Sequence, residues 1–136
     1  MSTTTSFVTG VDFVTLPTRD WEASRRFYGE TLGLPFAKGW GKMPAGEFET
    51  GTVTLAVMQS DAFGIEFKEH SHPVALQVED VNEARERLEE EGIEFLGETI
   101  DSGVCHMAHF KDPDGNVLML HHRYAPKDAR PTATGT

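Results

Sequence analysis

Residues 109–122 read His109-Phe110-Lys111-Asp112-Pro113-Asp114-Gly115-Asn116-Val117-Leu118-Met119-Leu120-His121-His122. In the middle of this stretch, Pro113 fixes φ near about −65°, Asp114 can hydrogen-bond to its own backbone, and Gly115 accepts a positive φ. These residue types favour a tight turn, and apolar strands lie on both sides of it. The stretch therefore predicts a β-hairpin in which Asp112 pairs with Asn116 across a three-residue loop.

The register of this hairpin sorts its side chains onto two faces, because side chains alternate along a strand. The predicted cross-strand pairs are Lys111 with Val117, Phe110 with Leu118, His109 with Met119, and Met107 with His121. The face predicted to be core carries Ala108, Phe110, Leu118 and Leu120. The opposite face carries Cys105, Met107, His109, Val117, Met119 and His121. Thioether and imidazole groups on one face indicate a wall that can contact a ligand.

Length and composition limit the classes of protein to consider. The chain has 136 residues, which suits one domain, and no apolar run approaches the ~18–20 residues of a membrane span. Its 12 basic and 22 acidic residues give a formal charge of −10, which disfavours nucleic acid and anionic membranes as partners. The acidic surface either attracts a cationic small molecule or serves solubility. The N-terminal residues lack the pattern of a secretory signal, and a lone Cys105 cannot form an internal disulfide, so a cytoplasmic location is expected.

The first half of the chain begins with a predicted strand and a predicted helix. Residues 11–18 alternate in polarity, with Phe13 and Thr15 on the face opposite Leu16. A helix follows, with Asp20 as its N-cap and Gly33 as its end. The apolar residues of this helix are spaced so that they form one stripe facing the core.

The rest of the first half predicts a loop and a second hairpin. Residues 34–48 are rich in glycine and predict a short strand followed by a flexible loop that carries Trp40. A hairpin turning at Thr50-Gly51 comes next, with Glu49 paired to Thr52. Its predicted core face carries Phe48, Val53, Leu55 and Val57, and its other face carries Glu47, Thr54, Ala56 and Met58.

The second half repeats the pattern of the first at an offset of 60 positions. Residues 13–20 read FVTLPTRD and residues 73–80 read PVALQVED, and a helix is predicted after each. The second helix has Asp80 as its N-cap, with Glu83 at capping-box spacing, and ends at Gly92. We therefore predict a single α+β domain over residues 7–124, made of two tandem β-α-β-β-β modules, about 7–60 and about 72–124. Residues 125–136 are predicted to be a disordered tail.

Four motifs in order resemble the vicinal-oxygen-chelate superfamily, which includes glyoxalase I, bleomycin-resistance proteins, fosfomycin-resistance enzymes and extradiol dioxygenases. They are Val14-Thr15-Leu16-Pro17-Thr18-Arg19-Asp20, then Phe27-Tyr28 followed by Leu32-Gly33-Leu34, then Val74-Ala75-Leu76-Gln77-Val78-Glu79-Asp80, and finally Phe110-Lys111-Asp112-Pro113-Asp114-Gly115-Asn116. The resemblance covers roughly residues 11–124. It implies two sheets set side by side as an incomplete barrel with helices outside, and a ligand or metal in the cleft between them.

The positions at which this family binds metal hold unusual residues here. The family's enzymes place His, Gln or Glu at the start of each module's first strand and a carboxylate in each last strand, because a hard cation needs oxygen or imidazole donors. The resemblance places Phe13 and Pro73 at the first-strand positions. It places Met119 at one last-strand position, and Thr54, Leu55 or Ala56 at the other, depending on the alignment. We therefore expect the family metal, and its Lewis-acid chemistry, to be absent.

Several residues of the predicted cleft have two interpretations each. His109 and His121, with Cys105 nearby, could bind a soft metal or supply a general base, or they could simply line a pocket. Glu47 could act as a counter-ion or a proton acceptor, or remain a solvated carboxylate. Trp40 could stack on a flat ligand or pack on nearby apolar surface.

These observations predict a homodimer that binds a small molecule in the inter-module cleft. The molecule is expected to be mostly apolar or aromatic, and a cationic one is an open alternative. No cofactor is expected, and the drug-resistance type of binding protein is the first hypothesis. The alternatives are a dioxygenase, lyase or isomerase that holds a divalent metal through displaced ligands, and a metal-free acid/base enzyme. The predicted ligand-binding residues are Phe13, Thr15, Trp40, Glu47, Thr54, Met58, Gln77, His109, Val117, Met119 and His121.

Overall fold

Two four-stranded mixed sheets with the same strand order form the framework of the chain, which a computed structural model describes over residues 6–126. The first sheet has the order β1-β4-β3-β2 and consists of β1 (Phe13–Thr18), β2 (Phe36–Trp40), β3 (Met43–Phe48) and β4 (Thr54–Gln59). The second has the order β5-β8-β7-β6 and consists of β5 (Val74–Gln77), β6 (Ile100–Asp101), β7 (Cys105–Lys111) and β8 (Val117–Arg123). Each module is thus β-α-β-β-β, and the predicted α+β class and internal repeat are confirmed.

Two helices connect the strands where the sequence predicts them. Helix α1 (Trp21–Arg26) continues into a π-helical turn (Phe27–Thr31), and α2 spans Val81–Glu90. The carboxylate of Asp20 accepts the Ala23 N–H at 3.2 Å, and that of Asp80 accepts the Glu83 N–H at 3.0 Å. Both predicted N-caps are therefore confirmed. A short 3₁₀ helix (Ser60–Phe63) follows β4 and starts the connection between the modules.

The hairpin of β7 and β8 has the predicted register. Asp112 donates its backbone N–H to the carbonyl of Asn116 at 2.9 Å, and Gly115 has φ +91°. Strand pairing joins His109 to Met119 and Met107 to His121. The residue types of the turn at 112–116 were therefore sufficient to predict how the strands on either side of it pair.

One hydrophobic cluster contains the predicted core faces of both modules. Leu16, Leu55, Phe110, Leu118 and Leu120 are each at most 3% exposed. The same cluster takes in the apolar stripes of both helices. The core therefore lies between the sheets and the helices, and the other face of each sheet is turned away from it.

The register of β3 and β4 differs from the prediction. Phe48 pairs with Leu55, whereas the sequence analysis paired it with Val53. The difference arises because Thr50 Oγ1 accepts the Val53 N–H at 3.1 Å and donates to the Val53 carbonyl at 2.7 Å, which builds a loop two residues longer than expected. A shift of two positions keeps each strand residue on its predicted face, so Phe48, Leu55 and Val57 are core as predicted. The core assignment of Val53 was wrong, because the longer loop contains this residue and leaves it half-buried.

Buried polar side chains join the β7–β8 turn to the first module. The carboxylate of Asp114 accepts the hydroxyl groups of Thr18 and Ser24 and, at 2.9 Å, the backbone N–H of Arg19. Asp114, Thr18 and Ser24 are all buried. The corner between β1 and α1 is thus fixed to a turn almost a hundred residues away along the chain.

A second set of contacts in the same junction is centred on Asp112. Its carboxylate accepts the Tyr28 hydroxyl at 2.6 Å and the Asn116 amide at 2.8 Å. That amide also donates to the carbonyl of Pro17 at 2.9 Å. These hydrogen bonds satisfy groups that would otherwise destabilise the interior, and they set the position of one module against the other.

Two further expectations concern the ends of the chain and the membrane. Most of the tail predicted over residues 125–136 lies outside the described residues. No helix within residues 6–126 is both long enough and apolar enough to cross a membrane.

Candidate ligand-binding faces

The sheet of the first module carries six of the predicted ligand-binding residues on the face that points away from the core. Strand pairing places Phe13 beside Thr54, Thr15 beside Ala56, and Glu47 beside Ala56, so these side chains share one face. Met58 is next to Pro17 and lies on the same face. We name as face 1 the six residues Phe13, Thr15, Trp40, Glu47, Thr54 and Met58.

Trp40 lies across face 1 and is not in a flexible loop. It is the last residue of β2 and pairs with Met43, so the predicted loop is a tight turn between two strands. Its indole N–H donates to Glu47 Oε2 at 2.8 Å. Its ring centroid lies 6.0 Å from that of Phe13 and 6.1 Å from that of Phe63. Three contacts hold this side chain in place, and the prediction of a mobile loop tryptophan was wrong.

The sheet of the second module collects the other five predicted residues in the same way. Gln77 pairs with His121, His109 with Met119, and Val117 with Lys111, all on the face opposite the core. The imidazoles of His109 and His121 are diagonal neighbours, as predicted from the hairpin. We name as face 2 the five residues Gln77, His109, Val117, Met119 and His121.

Face 2 ends at a basic residue that the sequence analysis did not place there. Arg123 pairs with Cys105, and its Nη1 lies 4.0 Å from the Cys105 sulfur. Its Nη2 donates to the carbonyl of Pro126 at 3.0 Å. Cys105 is a buried free thiol on the same face. The alternation of β8 could have located Arg123, because it lies two positions beyond His121.

Both faces are open in the single chain. Phe13 is 44% exposed, and Thr15 and Gln77 are exposed as well. A hollow of about 360 Å³ lies elsewhere, where Phe27, Ile93, Leu96 and Lys111 meet. Another, of about 540 Å³, runs along α2 beside charged side chains. Neither hollow contains a residue of face 1 or face 2.

A separate titratable cluster lies at the end of the second sheet. His106 Nε2 is 3.5 Å from Asp101 Oδ2, and the Tyr124 hydroxyl donates to Asp101 Oδ1 at 2.8 Å. Hydrogen bonds from the Gly103 N–H and from Tyr124 lower the pKa of Asp101 from its usual value. His106 pairs with His122 and so lies on the face opposite face 2. The cluster is therefore not part of the candidate site.

Comparison with known proteins assigns the chain to a family. Residues 10–120 match the family described as the Glyoxalase/Bleomycin resistance protein/Dioxygenase superfamily. The chain belongs to this superfamily. The predicted resemblance is therefore confirmed, and the two repeated sheets are the fold that its members share.

Individual relatives of this superfamily are distant. An uncharacterized protein of Bacillus subtilis (strain 168), YraH, is 25% identical over 120 residues, which cover 79% of this chain and 94% of YraH. A glyoxalase/bleomycin resistance protein/dioxygenase from Nocardioides superposes with a TM-score of 0.71 at 26% identity, over 93% of this chain and 90% of that one. TnmS3, an antibiotic binding protein from Streptomyces sp. CB03234, gives a TM-score of 0.73 at 23% identity, over 88% of this chain and 99% of its own.

The metal positions of the superfamily's enzymes do not fit a divalent cation in this chain. Thr15 and Ala75 are equivalent in the repeat, and they pair with Ala56 and Met119 respectively. Strand pairing therefore resolves the alignment of the last strands, and neither position offers an oxygen or nitrogen donor in its side chain. The first-strand positions are held by Phe13 and by Pro73, which also lack one. Among the residues that the structure describes, no group of three or more His, Cys, Asp or Glu side chains is arranged to hold a metal ion.

Proposed function

We propose that this chain binds a small, mostly apolar or aromatic molecule on faces 1 and 2, without the metal ion of the superfamily's enzymes. The observation that carries the proposal is that the eleven residues predicted to line the cleft lie on just two sheet faces, both turned away from the core. Five of them, Phe13, Trp40, Met58, Val117 and Met119, are apolar. These surfaces support a role as a binding or sequestering protein of the drug-resistance type.

The energetics of such faces favour an apolar ligand. Burial of apolar surface contributes about 25 cal/mol per Å², whereas an exposed ion pair contributes only about 0–1 kcal/mol. Met58 and Met119 are half-buried, and their flexible thioethers adapt to irregular ligand shapes. The fold neighbour TnmS3 is named as an antibiotic binding protein, which agrees with this class of function.

We also propose that two copies of the chain complete the cleft. Each face is open to solvent, so a ligand on one face alone would leave much of its surface in water. In an isologous pair, face 1 of one copy can lie opposite face 2 of the other, and the symmetry then gives two equivalent clefts.

We propose a reducing cytoplasm as the compartment, because the single cysteine is a free buried thiol.

The proposal is tested with a neutral aromatic probe, N-phenyl-1-naphthylamine, whose fluorescence rises in an apolar site. We expect saturable binding, and Met119→Lys should weaken it roughly tenfold or more because it replaces contact area with a solvated charge. Ile65→Lys is the matched control: Ile65 is 55% exposed and lies in the connection between the modules, so probe binding should not change. Metal analysis of the same preparations accompanies the titrations.

Three results would contradict the proposal. If the wild-type chain does not bind the probe, or if both lysine variants weaken binding equally, the faces are not the binding surface. A stoichiometric divalent metal that is lost in a His109→Ala, His121→Ala double variant would favour the alternative of an enzyme with displaced ligands.

A further inference from the structure

We propose that face 1 contains a subsite for an organic cation, formed by the rings of Phe13, Trp40 and Phe63 and by the carboxylate of Glu47. Its ligand class is a tertiary or quaternary ammonium group carried by the small molecule. This inference rests on the proposed function and specifies the chemistry of the ligand at one end of the cleft.

The Trp40 indole has two aromatic neighbours, Phe13 and Phe63, and each is inclined steeply to it. The Phe13 ring makes an angle of 69° with the Trp40 indole, and the Phe63 ring makes an angle of 82° with it. A cation positioned within about 6 Å of an aromatic centroid is attracted by the negative face of the ring, and indole is the strongest of the three ring types. Aromatic rings next to one another are the groups that recognise alkylated ammonium ions, and Trp40 with its two neighbours supplies three such rings.

The carboxylate of Glu47 is fixed at this group of rings. It accepts the Trp40 indole N–H at 2.8 Å, so its position relative to the rings is defined before any ligand arrives. A negative charge held beside aromatic faces favours a cation over a neutral group of the same shape. The chain as a whole has a net charge of −10, which raises the local concentration of cations.

A basic residue, Lys38, is the strand neighbour of Glu47. Lys38 pairs with Glu47 across β2 and β3 and is exposed. No ion pair joins these two side chains in the described part of the chain, where the ion pairs within 4.0 Å involve Arg19, Arg85 and His106. Glu47 therefore remains available to a ligand cation.

A substitution at Phe63 can distinguish a cation site from simple apolar packing. Phe63 follows β4 in the 3₁₀ helix and belongs to the connection between modules, yet its ring contacts Trp40 on face 1. Substitution of Phe63 by Leu keeps an apolar side chain of similar size but removes the aromatic face. Packing alone would tolerate this change for neutral and cationic ligands alike, whereas a cation site would lose its preference for charge.

The experiment compares choline with its neutral isostere 3,3-dimethylbutan-1-ol, in which carbon replaces the charged nitrogen. Binding is followed through the NMR signal of the Trp40 indole N–H, and by displacement of N-phenyl-1-naphthylamine. We expect choline to bind about tenfold more tightly than the alcohol. Phe63→Leu and Glu47→Gln should each reduce the ratio of the two affinities severalfold, and the ratio is the readout because both substitutions lie at the binding surface.

Phe67→Leu is the control for loss of an aromatic ring away from face 1, because Phe67 stacks against Arg19 and not against Trp40. It should keep the full preference for choline, and thermal unfolding checks that each variant is folded. Equal affinity for choline and the alcohol in the wild type, with probe binding intact, would overturn the inference and leave the proposed function standing. An equal loss of both ligands in Phe63→Leu would do the same. Failure of the wild type to bind the probe at all would overturn the proposed function instead.

Discussion

Asp112, Asp114 and Asn116 have two roles, and only one of them is visible in the local sequence. Their residue types predict the turn, because Asp and Asn side chains hydrogen-bond to nearby backbone groups. Their second role is to hold the first module through Thr18 and Tyr28, whose positions are 96 and 84 residues away from their partners. Local rules do not give the partners of a buried carboxylate when those partners are brought together only by the folded chain.

Because of the buried Tyr28 hydroxyl, the free energy of unfolding should fall at alkaline pH. Burial raises the pKa of Tyr28 well above its usual value, and the nearby carboxylates of Asp112 and Asp114 raise it further. The unfolded chain loses its tyrosine protons near pH 10, while the folded chain keeps that of Tyr28. The stabilisation is therefore complete below about pH 9, and it is lost as pH rises above about 10.

Tyr28→Phe should lower the free energy of unfolding at neutral pH by about 1.5–3 kcal/mol, because Asp112 loses a buried hydrogen-bond donor. The variant should also show a weaker fall in stability above pH 10 than the wild type. Urea unfolding between pH 7 and pH 11 measures both effects. Tyr124→Phe is the comparison: a hydrogen bond to Asp101 also raises the pKa of Tyr124, but this residue is 46% exposed and lies outside the junction, so the change in alkaline slope should be smaller. Parallel alkaline slopes in wild type and Tyr28→Phe would contradict this account.

Glycines in the β2 and β3 region led the sequence analysis to predict a flexible loop where a hairpin exists. Gly46 explains why these strands form in spite of their composition. A Cβ at this position would lie 2.7 Å from the Phe36 ring and 2.8 Å from the Trp21 ring, so the absence of a side chain lets two aromatic rings pack against the sheet. A glycine is needed here because of aromatic rings on α1 and β2. The local sequence does not show that those rings pack at this position.

Gly46→Ala should destabilise the chain by about 1–3 kcal/mol, since the new methyl group forces two packed rings to move. Gly39 is the matched control: it pairs with Gly46 across the hairpin, and a Cβ there would meet nothing closer than 3.8 Å. Gly39→Ala should be neutral or slightly stabilising, because alanine loses less entropy on folding. Thermal unfolding compares the two variants, and equal destabilisation would show that the rings do not constrain Gly46.

At the scale of the whole molecule, alternation and repetition predicted most of what positions the site. The offset of 60 residues located both modules, and the period of two along β1, β4 and β8 assigned the core and the outer faces correctly. The site is less complete, because Phe63 reaches face 1 from a connection, and Trp40 reaches it from the end of a strand. The Trp40 ring contacts Phe13 and Phe63, which belong to elements that do not pair with β2, and a pattern along one strand does not contain that information.

The two open faces lead to a prediction about assembly. Phe13 on face 1 is 44% exposed, and Ile100, which pairs with Met107 on the side of face 2, is 47% exposed. A stable pair buries about 1,200–2,000 Å² in total, and exposed apolar side chains on face 1 and on the strand beside face 2 supply part of the surface that such a contact needs. We expect sedimentation at micromolar concentration to give a homodimer. Phe13→Lys and Ile100→Lys should each shift it to monomer, because in an isologous pair each substitution places a charge in both clefts, whereas Ile65→Lys should remain dimeric. A wild-type chain that sediments as a monomer and still binds the neutral probe would show that a single copy forms the site.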